Sequence, residues 1–152
     1  MHKTRIRVFN QQRDVAISTL SARPIVHYLL AAEKRATDAV IIHFVSARKI
    51  CALHEEYFQD PSPTDCISFP MDQEEEDVYH VLGEVFICPK IAREYAKSHK
   101  TDVYQETTLY LVHGLLHLLG YDDQEKADVR KMRRAEKRHM EAICALGILL
   151  NK

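Results

Sequence analysis

Neither sign of charge predominates in this sequence. Its 152 residues include 21 lysines and arginines against 22 aspartates and glutamates, a formal net charge of -1. This balance excludes bulk electrostatic attraction to nucleic acid or to a membrane surface. Any binding of a polyanion must therefore come from a local patch of positive charge.

Long apolar runs are also missing. Residues 1–14 lack the apolar stretch of a secretory signal, and no later segment approaches the roughly 20 apolar residues that are needed to cross a bilayer. The sequence therefore predicts a soluble, cytoplasmic protein without a membrane partner.

Cysteine pairs of the CxxC type do not occur. The four cysteines are separated along the chain, and each has apolar neighbours, as small buried residues do. We expect them to be reduced core residues, with a zinc or redox role as the less favoured alternative. These residues are Cys51, Cys66, Cys88 and Cys144.

Internal repeats and low-complexity linkers are absent as well, and 46% of the residues are hydrophobic. We expect a single domain over residues 1–152, since this content can bury one core. The predicted strands span 5–9, 39–45, 65–69 and 78–87, and the predicted helices span 18–34, 46–57, 89–100, 102–120 and 124–146. The pattern indicates an α+β fold, a small mixed sheet of about four strands covered by about five helices.

Several residues mark the expected ends and faces of these elements. Pro24 is expected to begin the regular part of the first helix, Ser46 to cap the second and Pro89 to lie in the first turn of the third. Asp102 and Gln105 form a candidate capping pair for the fourth helix. The acidic segment 72–77 is expected to be a solvated loop. In the first helix the apolar positions Ile25, Leu29 and Ala32 repeat at helical spacing. In the last helix Met132, Ala135, Ile143 and Leu146 are expected to face the core.

The most informative segment is LVHGLLHLLGYDD, residues 111–123. His113 and His117 are four residues apart on a predicted helix, so their rings project from one face and can converge on one ion. Gly120 can bend the chain after the helix, which would bring Asp123 back to the same ion. The pattern HxxxHxxGxxD supplies three ligands and an open position, as catalytic zinc sites do. A water in that position would have its pKa lowered to about 7.

Simpler interpretations of this segment stay open. Two histidines at this spacing can be helix residues satisfied by hydrogen bonds, and Asp123 could cap the last helix. Asp122 is an alternative cap, with Glu125 three residues later, which would leave Asp123 for the metal. The whole pattern favours one divalent ion per chain, with zinc preferred.

Metalloproteases of the HExxHxxGxx(H/D) type share this spacing, but they carry a glutamate general base after the first histidine. That position is Gly114 here, so peptide hydrolysis would lack its proton acceptor and the protease interpretation is disfavoured. His54, His80 and His139 lack ligand spacing and are expected at the surface or behind the ligands.

Three segments of the chain resemble the YbeY family, bacterial metalloproteins of rRNA maturation and ribosome quality control. The family pattern HGxLHLxGYDH is similar to HGLLHLLGYDD at 113–123, a PTDVLSFP-like strand to PTDCISFP at 63–70, and an LGDIxIxP-like strand to LGEVFICP at 82–89. The resemblance covers most of the chain. It implies an α+β fold, zinc on His113, His117 and Asp123, and a single-strand-specific endoribonuclease in small-subunit rRNA processing.

Two positions depart from the family pattern. The third ligand of the family is histidine, whereas Asp123 adds a negative charge, so a divalent ion with its three ligands would carry +1 instead of +2. We expect this charge to raise the pKa of a bound water. Family members also usually carry an arginine after the tyrosine that precedes the PTD strand, and here Tyr57 is followed by Phe58. An arginine could clamp a phosphate through two hydrogen bonds, and phenylalanine cannot.

Positive charge that could bind RNA is concentrated in the last predicted helix. Its basic residues are Arg130, Lys131, Arg133, Arg134, Lys137 and Arg138. Of these, Arg130, Arg134 and Lys137 are candidate RNA contacts, and a solvated face with ion pairs to Glu136 and Glu141 is the alternative.

The sequence and the resemblance together favour a zinc-dependent endoribonuclease. Its expected partners are single-stranded RNA, an rRNA precursor and the small ribosomal subunit, and no DNA is expected. The competing hypothesis is a ribosome-assembly factor with a structural or weakly active zinc site.

Overall fold

The computed structural model describes residues 3–71 and 79–152. Its strands are β1 (Arg5–Gln11), β2 (Ala39–Val45), β3 (Cys66–Pro70) and β4 (Val81–Ile87). Its helices are α1 (Ala22–Ala32), which follows a 3-10 turn at Thr19–Ser21, α2 (Ala47–Phe58), α3 (Pro89–His99), α4 (Val103–Leu118) and α5 (Lys126–Leu146). Within the described residues this confirms the predicted α+β fold. The predicted acidic loop, 72–77, lies outside them.

The sheet is mixed and has the strand order β1-β2-β4-β3. β1, β2 and β4 are parallel, and β3 runs antiparallel to β4 at one edge. Helices connect the parallel strands, as such connections require. The edge strand β3 carries the segment that resembles the second family motif, and it lies against α4.

The main core lies between the sheet and the helices α1, α4 and α5. β2 is buried at five of its seven positions, as expected for an apolar strand inside a sheet that helices cover on both faces. α4 contacts β3, β4, α3 and α5, which explains why this helix is apolar on most of its surface. A smaller cluster lies under α2 and includes Val45, Ile50, Leu53, Ile67 and Cys88.

The predicted helix caps are largely confirmed. The Ser46 hydroxyl accepts the amide of Lys49, and the Asp102 carboxylate accepts the amides of Tyr104 and Gln105. Pro89 is the first residue of α3. Pro24 does not begin α1, because the helix starts at Ala22, two residues earlier, where a 3-10 turn leads into it.

Some residues that were predicted to be buried are exposed. Leu146 is 61% exposed because the last turn of α5 extends past the core, and Cys144 is exposed near the end of the same helix. Cys88 is buried as predicted, while Cys51 and Cys66 are partly buried, and all four cysteines are unpaired thiols. Among the described residues, no helix is long and apolar enough to cross a membrane.

Candidate metal centre

The three predicted ligands lie together at the C-terminal end of α4 and in the turn that follows. The Nε2 atoms of His113 and His117 are 3.0 Å apart. One carboxylate oxygen of Asp123 lies 3.6 Å from Nε2 of His113 and 3.3 Å from Nε2 of His117. These three potential ligand atoms are within 4.8 Å of one another. The predicted cluster is therefore formed, and its side chains remain 25% to 43% exposed.

The turn after α4 depends on Gly120. Its φ is +101°, a backbone conformation that residues other than glycine rarely adopt. The chain then folds back, and the amide of Tyr121 donates to the carbonyl of Leu116. Asp122 does not cap α5, which has Glu125 at its N-cap. Instead, the Asp122 carboxylate accepts the amide of Asp123 at 2.8 Å, which stabilises the turn.

Both ligand histidines are held through their other ring nitrogen. Nδ1 of His117 donates to the carbonyl of Tyr121 at 3.0 Å, and Nδ1 of His113 donates to the Glu136 carboxylate at 3.1 Å. Carbonyl and carboxylate oxygens only accept here, so both rings in their neutral form carry the proton on Nδ1. Their Nε2 lone pairs then face each other and the Asp123 carboxylate. Three acceptors that converge in this way fit a cation, and the outer hydrogen bonds are those that metal-bound histidines make.

The surroundings of His113 are anionic. Burial lowers the pKa of this ring, but the hydrogen bond to Glu136 and the negative charges of Glu136, Asp65 and Asp123 outweigh burial, so the pKa is raised. The same field that attracts a proton attracts a metal cation. By contrast, burial raises the pKa of the Cys66 thiol, which lines the same cleft, and keeps it protonated and unsuited to bind metal.

Gly114 follows His113 on α4 and faces the sheet. A Cβ atom built there would come within 2.5 Å of Cγ1 of Val85 and 2.7 Å of Sγ of Cys66. The Ser68 hydroxyl donates to the Gly114 carbonyl at 2.9 Å, which joins β3 to α4. A glutamate at this position would meet the sheet, so the geometry also disfavours the protease interpretation.

Two clefts border the ligand cluster. The first, of about 660 Å³, is lined by His113, His117 and Asp123 together with His54 and Phe58 of α2, Thr64 and Asp65 of the segment that leads into β3, and residues of β3 itself. The second, of about 460 Å³, lies between α3, α4 and α5 and includes Tyr95, Glu106, Arg133 and Glu136. His113, Asp65 and Asp123 line both clefts. The ligand cluster is therefore accessible from two sides.

The predicted RNA contacts lie on exposed parts of α5. Arg130, Arg134 and Lys137 are all exposed. Lys137 lines a smaller groove beside the second cleft, together with Glu136 and Tyr95. Arg133, which was not singled out from the sequence, lines the second cleft itself.

Sequence reasoning missed the residues behind the ligands. His139, expected at the surface or behind the ligands, is 1% exposed. Its Nε2 donates to the Glu33 carboxylate at 3.0 Å, and its Nδ1 accepts the Tyr28 hydroxyl at 2.9 Å. The other Glu33 oxygen accepts the Tyr121 hydroxyl at 2.7 Å. This buried network connects α1, α5 and the turn that positions Asp123.

Signals for these residues were present but weak. Glu136 and His139 fall within the apolar stripe of α5 that contains Met132, Ala135 and Ile143. A charged or polar residue inside such a stripe indicates a buried partner. The partners themselves are more than twenty residues away along the chain, so no local pattern could identify them.

Comparisons with known proteins agree with this geometry. The sequence profile of the family described as Endoribonuclease YbeY matches residues 7–144. The Endoribonuclease YbeY of Protochlamydia amoebophila is 53% identical over 95% of this chain and 97% of its own length. That of Chlamydia trachomatis serovar D is 42% identical over 86% of this chain and 83% of its own.

A solved structure supports the same assignment. The solution structure of a Thermotoga maritima protein is 28% identical, has a TM-score of 0.62 and covers 90% of this chain, with 87% of its own length matched. The family profile and the relatives match nearly the whole length of this sequence. We conclude that the chain belongs to the YbeY family.

Proposed function

We propose that this protein is a zinc-dependent endoribonuclease that cuts single-stranded RNA and acts in small-subunit rRNA maturation and ribosome quality control. The observation that carries the proposal is the convergence of two Nε2 lone pairs and one carboxylate, with both Nδ1 atoms already hydrogen-bonded. The names of the relatives at 53% and 42% identity support the ribonuclease activity.

The arrangement of the residues suits a hydrolytic site. His113, His117 and Asp123 would hold one divalent ion and leave part of its coordination sphere open to the two clefts. Such an ion supplies a Lewis acid for a phosphoryl oxygen and for a nucleophile, either water or a ribose 2′-hydroxyl. Glu136 and the Tyr121 carbonyl keep the two rings in the orientation and tautomer that this requires.

Positive charge for the RNA backbone would come from α5. Arg130, Arg134 and Lys137 are proposed contacts, and Arg133 is added to them because it lines the second cleft. Phosphate contacts of this kind position a strand without reading its sequence.

A ribosome-assembly factor with a structural or weakly active zinc site is the second candidate. One observation favours it: among the described residues, those lining the first cleft include aspartates but no lysine or arginine. Such a cleft gives the protein no side-chain cation with which to stabilise charge during phosphodiester cleavage.

Metal content and RNA cleavage, measured on the same preparations, test the proposal. Wild-type protein purified without chelator should contain about one zinc per chain and cut single-stranded RNA but not duplex RNA or single-stranded DNA. His113→Ala should lose both the metal and the cleavage. His27→Ala, which changes an exposed histidine of α1, should keep both. Zinc at full occupancy without any cleavage would favour the assembly factor.

A further inference from the structure

Phe58 lies at the rim of the first cleft because α2 ends there. The next residue, Gln59, adopts a left-handed conformation with φ of 56° and turns the chain away. Phe58 is 53% exposed, and it lines the cleft together with the ligands His113 and His117. An exposed phenylalanine at this place covers no core, so packing gives no reason for it.

The ring of Phe58 contacts a histidine of the same helix. His54, one turn earlier on α2, contacts it with ring centroids 5.7 Å apart and planes inclined by 55°. Nδ1 of His54 donates to the carbonyl of Ser62 at 2.8 Å, which fixes this support. Even with this contact, about half of Phe58, 53%, stays exposed where it lines the cleft.

Charge in the first cleft does not favour a polyanion. The charged residues that line it are Asp65, Asp122 and Asp123, and among the described residues no lysine or arginine joins them. One bound divalent ion would offset part of this negative charge. The neighbouring phosphates of an RNA strand in this cleft would still be repelled by the aspartate carboxylates. An interaction other than charge attraction must therefore hold RNA in the first cleft.

We propose that Phe58 is a platform on which an unpaired nucleobase of the substrate stacks, next to the phosphate that is bound at the metal. Stacking on an aromatic ring does not depend on charge and tolerates every base, because every base has a π-face. In a duplex both faces of a base are covered, so this platform would select single-stranded RNA. The inference rests on the proposed function. It names Phe58 as the residue that gives the enzyme its preference for single-stranded RNA.

The second cleft gives the contrast that makes the proposal testable. Arg133 lines it on the other side of the ligands. A phosphate contact there would contribute to the dependence of RNA affinity on salt concentration, whereas a stacked base would not. The two sides of the metal should therefore respond differently to salt.

The experiment uses metal-loaded full-length protein and a single-stranded RNA of about ten nucleotides, a length within the site sizes of single-strand binders. One abasic nucleotide is moved along this RNA position by position. Fluorescence anisotropy gives Kd at several salt concentrations, and cleavage assays give kcat and KM. The variants are Phe58→Ala, Phe58→Tyr and Arg133→Gln. Phe9→Ala is the matched control, since Phe9 is a partly exposed aromatic residue of the far edge strand β1.

Phe58→Ala should raise Kd and KM about 5- to 150-fold, the range of base–aromatic stacking, with an unchanged salt slope and unchanged zinc content. Phe58→Tyr should restore binding, and Phe9→Ala should have no effect. One abasic position should weaken binding to the wild type by a similar factor but leave binding to Phe58→Ala unaffected. Arg133→Gln should reduce the salt slope.

Either of two results would overturn the stacking proposal alone: an unchanged Kd for Phe58→Ala, or abasic effects that are the same in wild type and Phe58→Ala. Wild-type protein that binds RNA without cutting it would contradict the nuclease and still allow the stacking to be measured through Kd. Wild-type protein that binds no RNA would overturn both proposals.

Discussion

Glu136 lies against the candidate metal centre without belonging to the predicted ligand set. Its carboxylate accepts Nδ1–H of His113 at 3.1 Å and is only 16% exposed. Carboxylates in this position orient the ring and increase the basicity of the ligand nitrogen, and their removal weakens metal binding about 10- to 100-fold. The partial burial of Glu136 gives this hydrogen bond more weight than an exposed pair would have.

We therefore expect Glu136→Ala to raise the Kd for zinc about 10- to 100-fold. Glu136→Gln should have a smaller effect, because the amide oxygen can still accept the same hydrogen bond. Competition with a chromogenic chelator, at the same pH for every variant, measures these constants. Glu141→Ala, on an exposed part of α5, is the control. An unchanged Kd for Glu136→Ala would show that the turn and α4 orient His113 without help.

At the scale of elements, the position of α4 against the sheet determines where the ligands lie. Gly114 allows α4 to approach closely, since a Cβ there would come within 2.5 Å of Val85 and 2.7 Å of Cys66. Val85 is fully buried, so it cannot simply move away. Larger residues at position 114 would push the helix, and with it both histidines, away from the sheet.

Gly114→Ala should destabilise the protein by about 1–3 kcal/mol through overpacking, although alanine is the better helix former by about 1 kcal/mol. Urea unfolding gives the free energy of unfolding. In a Val85→Ala background Gly114→Ala should lower the free energy of unfolding by less, because Cγ1 of Val85, the nearest atom to the added Cβ, is absent. This difference between the two backgrounds distinguishes steric overlap from other effects. Equal costs in the two backgrounds would contradict the steric explanation.

Local patterns in the sequence were sufficient for much of this arrangement. The strand β2, the caps at Ser46 and Asp102, and the convergence of His113, His117 and Asp123 were predicted correctly because each depends on residues close together in the chain. The exposed Leu146 was predicted to be buried, since periodicity does not show where the core ends. Glu136, Glu33 and His139 have partners in distant segments, and their roles required the tertiary structure.

For the molecule as a whole, the network around Glu33 links helices from both ends of the chain. Its carboxylate binds Tyr121 in the motif turn, His139 in α5, and Arg138 at 3.4 Å. Burial raises the pKa of Glu33, but these hydrogen bonds and the positive charges of His139 and Arg138 outweigh burial, so the pKa is lowered. Burial lowers the pKa of His139 despite the nearby carboxylate. Both shifts connect folding to pH.

The lowered pKa values of Glu33 and His139 affect stability in the same direction. A folded-state pKa below that of the unfolded chain stabilises the protein at higher pH, and this stabilisation is lost on acidification. His139 should therefore begin to reduce stability as the pH falls below about 6.5, and Glu33 below about 4.3, the ordinary values for these side chains. The raised pKa of His113 acts in the opposite direction in metal-free protein, so variants must be compared under the same metal-free conditions.

Glu33→Gln should lower the free energy of unfolding at pH 7 by about 1.5–3 kcal/mol, the range for hydrogen bonds to charged groups. The difference from wild type should shrink as the pH falls through the lowered pKa of Glu33, because the wild type then loses the same charge. Between pH 7 and 5.5 the stability of the variant should depend on pH at least as strongly as that of the wild type, since losing the carboxylate lowers the His139 pKa further. Urea unfolding in chelator tests this, with Glu141→Gln as control. If the difference in free energy of unfolding stayed constant down to the lowest pH at which both proteins fold, Glu33 would contribute through its shape and not through its charge.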